Sequence, residues 1–75
     1  MSKLPRVTGE QAVKAFARVG FTVDRIKGAH YILKREAGGV RLTIPVHKAK
    51  TIGSGLLHSL IAAAGLTNEE FRELL

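Results

Sequence analysis

The stretch His30-Tyr-Ile-Leu-Lys-Arg-Glu-Ala-Gly-Gly-Val-Arg-Leu-Thr-Ile-Pro-Val46 sets two runs of strand-forming residues around a pair of glycines, and its reading decides the fold. The second run alternates: Val40, Leu42, Ile44 and Val46 share one face, while Arg41, Thr43 and Pro45 share the other. Pro45 cannot donate to a ladder and marks an edge strand. The first run, His30 to Glu36, is the neighbouring strand. Gly38-Gly39 reads as a two-residue turn between them, because glycine takes left-handed backbone at no steric cost. That turn sets Glu36 opposite Arg41, Leu33 opposite Ile44, Tyr31 opposite Val46 and His30 opposite His47. A three-residue loop would shift every pair by one and turn His30 toward the core. The two-residue loop is preferred because it pairs opposite charges and buries Tyr31 with Leu33, although it leaves Ile32 on the open face.

Working outward, Phe21 to Lys27 is rich in strand formers and is broken by Gly28. Before it, Thr8 and Gln11 have the spacing of a capping box. Ala12, Val13, Phe16 and Val19 then fall on one helical face, with Lys14 and Arg18 outside, and Gly20 closes the helix. After the strands, a basic loop from His47 to Thr51 leads to Gly53-Ser54-Gly55. A second helix follows with Leu56, Leu57, Leu60, Ile61 and Ala64 inward, ending at Gly65. Thr67 and Glu70 form another capping box, opening a short helix whose Phe71, Leu74 and Leu75 can pack back. The plan is α+β: an α-β-β-β-α order with a short C-terminal helix, a three-stranded antiparallel sheet, and helices on one face. It resembles the element order of double-stranded-RNA-binding domains.

Seventy-five residues are expected to form one domain, spanning 1–75. A chain this short buries only about 60–65% of its unfolded surface. It has no cysteine, so neither a disulfide nor a cysteine-based zinc site can brace it. No run approaches the roughly 18 apolar residues that span a bilayer, and the N-terminus lacks the apolar segment of a signal peptide. The expectation is a soluble, cytoplasmic protein. Twelve Lys and Arg stand against six Asp and Glu, a net charge of +6. Residues 1–66 carry eleven basic and three acidic side chains, or +8, and the last nine residues carry −2. A basic body this small attracts phosphate, which favours a nucleic-acid partner over a surface charged only for solubility.

Two segments can carry chemistry. In Lys27-Gly28-Ala29-His30-Tyr31 a histidine follows a glycine break at a strand start, an exposed position. Cleaving RNA requires a proton taken from a ribose 2′-hydroxyl and one given to the leaving 5′-oxygen, and imidazole suits either task. Lys27, Lys34 and Arg41 lie near His30 in the preferred register and can stabilise charge on the phosphoryl oxygens. The plainer reading of a lone histidine is an ordinary surface residue. In Pro45-Val46-His47-Lys48-Ala49-Lys50, three protonatable groups precede a glycine-containing helix start, an arrangement suited to phosphate. His47 is either a second acid–base group or, the preferred reading, a phosphate ligand. The alternative for this loop is a solvated basic turn. The six carboxylates are scattered, and three histidines without cysteine form no zinc pattern, so metal-independent chemistry without a cofactor is expected. His58, within the second helix, reads as structural or solvent-facing. Gly53 and Gly55 do not make a P-loop. Three Phe and one Tyr offer little base stacking.

The chain resembles the HicA family, the messenger-RNA-cleaving toxins of HicA–HicB toxin–antitoxin pairs. The carriers are Lys3-Leu-Pro-Arg-Val-Thr-Gly9, Gly20-Phe21, Lys27-Gly28-Ala29-His30, Thr43-Ile-Pro-Val-His47, Leu56 to Leu60, Ala64-Gly65-Leu66 and Glu70-Phe71. No single piece is specific; their order and spacing are. The resemblance implies a double-stranded-RNA-binding-like fold, RNA cleavage, and neutralisation by a HicB-like antitoxin. It also implies catalysis by the histidine of a Gly-Ser-His motif, which falls on His30. One position departs: Ala29 stands where the motif has serine, whose hydroxyl would bind phosphate or orient the imidazole.

The resulting expectation is an endoribonuclease acting on messenger RNA. His30 is its catalytic residue, and Lys27, Gly28, Lys34, Arg41, His47, Lys48 and Lys50 contact RNA or phosphate. The free protein is expected to be a monomer or small oligomer. Two rivals are a non-catalytic RNA-binding module and a domain whose basic face serves chiefly to dock an acidic protein.

Overall fold

The computed structural model describes residues 4–75; Lys3, the first residue carrying the resemblance, lies outside them. The chain runs α1 (Gly9–Ala17), β1 (Thr22–Lys27), β2 (His30–Lys34), β3 (Arg41–Pro45), α2 (Ser54–Ala63) and α3 (Asn68–Glu73). A 3-10 turn, Ala37–Gly39, joins β2 to β3. The strands form one antiparallel sheet in the order β1-β2-β3. This is the expected α+β plan, consistent with the double-stranded-RNA-binding arrangement.

Local chemistry sets the helix ends. Thr8 Oγ1 accepts from the Gln11 N–H at 3.2 Å while Gln11 Oε1 accepts from the Thr8 N–H at 2.8 Å. Thr67 and Glu70 repeat the box at 3.1 and 2.8 Å. Each box satisfies two backbone donors that a helix start leaves without partners. Gly20 and Gly65 follow α1 and α2 with φ of 97° and 77°, backbone that favours glycine.

One apolar layer joins the elements. Ala12, Ala15 and Phe16 of α1 meet Leu33, Leu42 and Ile44 of the sheet and Leu57, Leu60 and Ile61 of α2. The Phe16 ring lies 5.8 Å from Phe21, edge-on, and 5.2 Å from Phe71, so the three buried phenylalanines join α1, the start of β1 and α3. Burying each contributes about 1.5–3 kcal/mol. Two expected core residues are not in it. Leu56 is exposed because the inward stripe of α2 runs Leu57, Leu60, Ile61 and Ala64, and Leu56 precedes it by one position, about 100° around the helix. Leu75, past the end of α3, is also exposed.

The β2–β3 register differs from the expected one by two residues. Leu33 faces Leu42, Tyr31 faces Ile44, and Lys34 rather than Glu36 faces Arg41. His30 faces Pro45, not His47. The Arg35 N–H bonds the Val40 carbonyl at 3.0 Å, so the loop holds four residues and Gly38-Gly39 form its second half, with φ of 82° and 65°. A slip of two returns every side chain to the same face, so hydrophobic patterning cannot distinguish the two registers. Arg35 tips the balance. Its Nε donates to the Ala37 carbonyl and its Nη1 to the Ala64 carbonyl, both at 3.3 Å, and its guanidinium lies 4.8 Å from the Phe21 ring centroid. These bonds tie the end of β2 and the first half of the loop to the C-terminus of α2.

Candidate functional site

Gly28-Ala29 is the two-residue turn of the β1–β2 hairpin, flanked by the pair Lys27 and His30. Gly28 has φ of 56° and Ala29 is not left-handed, the pattern of a type II′ turn, which requires glycine at its first central position. This local requirement fixes His30 as the first residue of the central strand. Its side chain shares the open face with Lys27 on one side and Pro45 on the other, and it is exposed.

Backbone bonding explains Pro45. The Val46 N–H donates to the Ala29 carbonyl at 2.6 Å, making 29 and 46 a hydrogen-bonded pair. His30 and Pro45 therefore form the next, non-hydrogen-bonded pair, where facing side chains come closest and a missing N–H costs nothing. Pro45 turns its nitrogen and carbonyl to the outer edge of β3, and the first residue of α1, Gly9, packs there.

His47 lies two residues beyond Pro45, exposed, with Lys48 and Lys50 in the same loop. The Lys50 N–H closes a turn onto the His47 carbonyl at 3.0 Å. Ala49 takes φ of 61° at its third position, a left-handed conformation costing a non-glycine residue about 1–2 kcal/mol. The turn leads to Thr51, which pairs with Thr8, and to α2, whose N-cap Gly53 supplies no side-chain bond. Thus Lys27, Gly28, His30 and the 47–50 loop gather at one end of the sheet. Lys34 and Arg41 share the open face but sit four residues along β2, about 13 Å from the His30 row at the rise of an extended strand. The nearness to His30 expected for these two does not hold in this register.

Asp24, which the sequence did not single out, explains that second group. The pairing shifts between Val23 and Arg25, so Asp24 is an inserted bulge residue. Its Oδ2 accepts from Arg41 Nη1 at 2.9 Å, and its carboxylate lies 3.5 Å from Lys34 Nζ and 3.8 Å from Arg25 Nε. The Arg41 hydrogen bond outweighs the upward push of desolvation and, with the Lys34 and Arg41 charges, holds Asp24 below its ordinary pKa. The available signal was that Asp24 is the only acid in a stretch otherwise basic from Lys14 to Arg35. Among the described residues no three His, Asp or Glu side chains gather as metal ligands, and no helix is long and apolar enough to cross a membrane.

Residues 9–66 match the family model described as the HicA toxin of bacterial toxin–antitoxin systems. No curated protein matches the chain. The matched span covers more than half of the sequence and includes α1, the whole sheet, the 47–50 loop and α2. The chain belongs to the HicA toxin family of bacterial toxin–antitoxin systems.

Proposed function

We propose that the protein is an endoribonuclease that cleaves messenger RNA, with His30 as a catalytic proton-transfer group and no resident metal. One observation carries the reading: an exposed imidazole stands at the first position of the central strand, fixed by a glycine turn and flanked by Lys27. In the reaction a proton leaves the ribose 2′-hydroxyl and its oxygen attacks the adjacent phosphorus. The bond to the 5′-oxygen breaks, that oxygen takes up a proton, and a 2′,3′-cyclic phosphate and a 5′-hydroxyl remain. His30 performs one of the two proton transfers. Lys27 stabilises the negative charge growing on the phosphoryl oxygens, and His47, Lys48 and Lys50 hold neighbouring phosphates. The family membership adds an antitoxin partner, and a HicB-like protein covering the basic face would block the site.

The test is cleavage of RNA by purified protein in chelator-containing buffer. His30→Ala is expected to retain RNA binding and lose at least about two orders of magnitude in rate. A variant as active as the parent would end the assignment. Ala29, in place of the motif serine, favours one alternative, a non-catalytic RNA-binding module. Intact RNA with salt-dependent binding by the parent would select it.

A further inference from the structure

The cations around Asp24 have no part in the chemistry just described. Lys34 and Arg41 are directly opposed in a non-hydrogen-bonded pair, where like charges repel. Asp24 holds them together from the bulge. Its side chain is 21% exposed, whereas Arg25, Lys34 and Arg41 are 60%, 44% and 61% exposed. One sheltered carboxylate thus fixes three outward-facing cations and leaves an excess of positive charge.

These groups continue the His30 row along the open face. The rows run Lys34 and Arg41, then Arg25 beside Ile32 and Thr43, then Lys27 beside His30 and Pro45. Asp24 is the one acidic residue in the three strands. The exposed large apolar side chains lie elsewhere. Val23 and Ile26 pair with Leu33 and Tyr31 on the opposite face, Leu56 is on α2, and Leu75 follows α3. Such a stripe suits a polyanion better than the apolar centre of a protein interface. Tyr31, the one Phe, Tyr or Trp of the strands, is on the core side, so no such ring lies beside Arg25, Lys34 and Arg41.

We propose that Arg25, Lys34 and Arg41, positioned by Asp24, form a second phosphate subsite that holds the backbone of a single RNA strand a few nucleotides from the bond cut at His30. The inference rests on the ribonuclease reading for the direction of the strand from His30. In-line attack by a 2′-oxygen is disfavoured in a stacked A-form helix, so the substrate at His30 is unpaired and its continuation lies extended along β2. With charged groups and no Phe, Tyr or Trp ring in it, the subsite favours phosphate over base.

The experiment measures binding of labelled single-stranded RNA oligonucleotides, lengthened stepwise on either side of a fixed cut site, to His30→Ala protein. Further versions also carry Arg41→Ala, Arg41→Lys, Asp24→Asn or Asp24→Glu. Thermal melts confirm folding. Affinity is expected to rise with length on one side only, and Arg41→Ala to lose about tenfold of that gain. The slope of log affinity against log salt should shrink by about 0.7 for each lost contact. Arg41→Lys should keep the slope. Asp24→Asn raises the net positive charge, so bulk attraction alone would tighten binding; a positioning role weakens binding of the long oligonucleotide, and Asp24→Glu restores it. Equal length dependence and equal slopes in parent and Arg41→Ala would overturn the proposal. So would variants that lose only the affinity for an acidic protein partner. Cleavage by the protein with His30 intact is measured in parallel: length-dependent binding without cleavage leaves the subsite standing and removes the nuclease, and cleavage without length dependence does the reverse.

Discussion

Gly9 and Pro45 pack backbone to backbone: a β-carbon on Gly9 would lie 2.8 Å from the Val46 Cα and closer still to the Pro45 carbonyl oxygen. Helix α1 therefore begins directly on the free edge of β3, beside the residue that faces His30. Gly9→Ala forces backbone, not a flexible side chain, to move. It is expected to destabilise the fold by about 1–3 kcal/mol and to reduce RNA cleavage through displacement of the Pro45 row. Thermal unfolding and a cleavage assay on the same preparation check both effects; a variant with unchanged Tm would show that the contact has slack.

Arg35 is a cation with a structural assignment. Its bonds to the Ala37 and Ala64 carbonyls and its place over Phe21 hold the β2–β3 loop to α2. Arg35→Ala is expected to cost about 1–2 kcal/mol, and RNA affinity below the transition should not change. For a domain of this size each kcal/mol lowers Tm by about 4–8 °C. A loss of RNA affinity matching that of Arg41→Ala would assign Arg35 to the binding face instead.

Asp24 makes stability depend on acid. Its pKa is lowered in the folded state, so the folded protein binds fewer protons there than the unfolded chain. The resulting stabilisation is complete above the unfolded pKa of about 4 and disappears as pH falls through the folded value. The parent is expected to be more stable than Asp24→Asn at neutral pH, with the gap closing as pH falls below the ordinary carboxylate value of about 4. Melts of both proteins from neutral pH to below that value check it; a gap independent of pH would mean that the charge of Asp24 is not what stabilises the sheet.

The fold was legible wherever short-range chemistry decides structure. Both capping boxes, the closing glycines of α1 and α2 and the alternation of β3 follow from residues within a few positions of one another. The face of His30 was legible for the same reason, since its parity depends only on burying Tyr31 and Leu33. The β2–β3 register was not, because Arg35 finds its partners at Phe21 and Ala64, far along the chain. Charge pairing misled the expectation: Glu36 opposite Arg41 is attractive within one hairpin, but the acid that meets Arg41 comes from β1, through a bulge that leaves no periodic mark. The neighbourhood of His30 was therefore partly readable: Lys27 is beside it, and Lys34 and Arg41 are further down the face.

Ala29 offers a direct test of the resemblance, whose motif has serine at this position. It occupies the second central position of the β1–β2 turn, immediately before His30, with its carbonyl engaged by the Val46 N–H. Only its backbone is committed, and the left-handed requirement falls on Gly28, so serine enters the same turn without strain. The new hydroxyl adds one hydrogen-bonding group beside the imidazole or the phosphate. A net gain of about 0.5–1.5 kcal/mol, if realised in the transition state, raises the cleavage rate about 2- to 10-fold. Ala29→Ser is expected to show that gain in kcat/KM with Tm nearly unchanged, and Ala29→Ser combined with His30→Ala to show none of it. Persistence of the gain in the double variant would mean that the serine acts on RNA binding independently of His30.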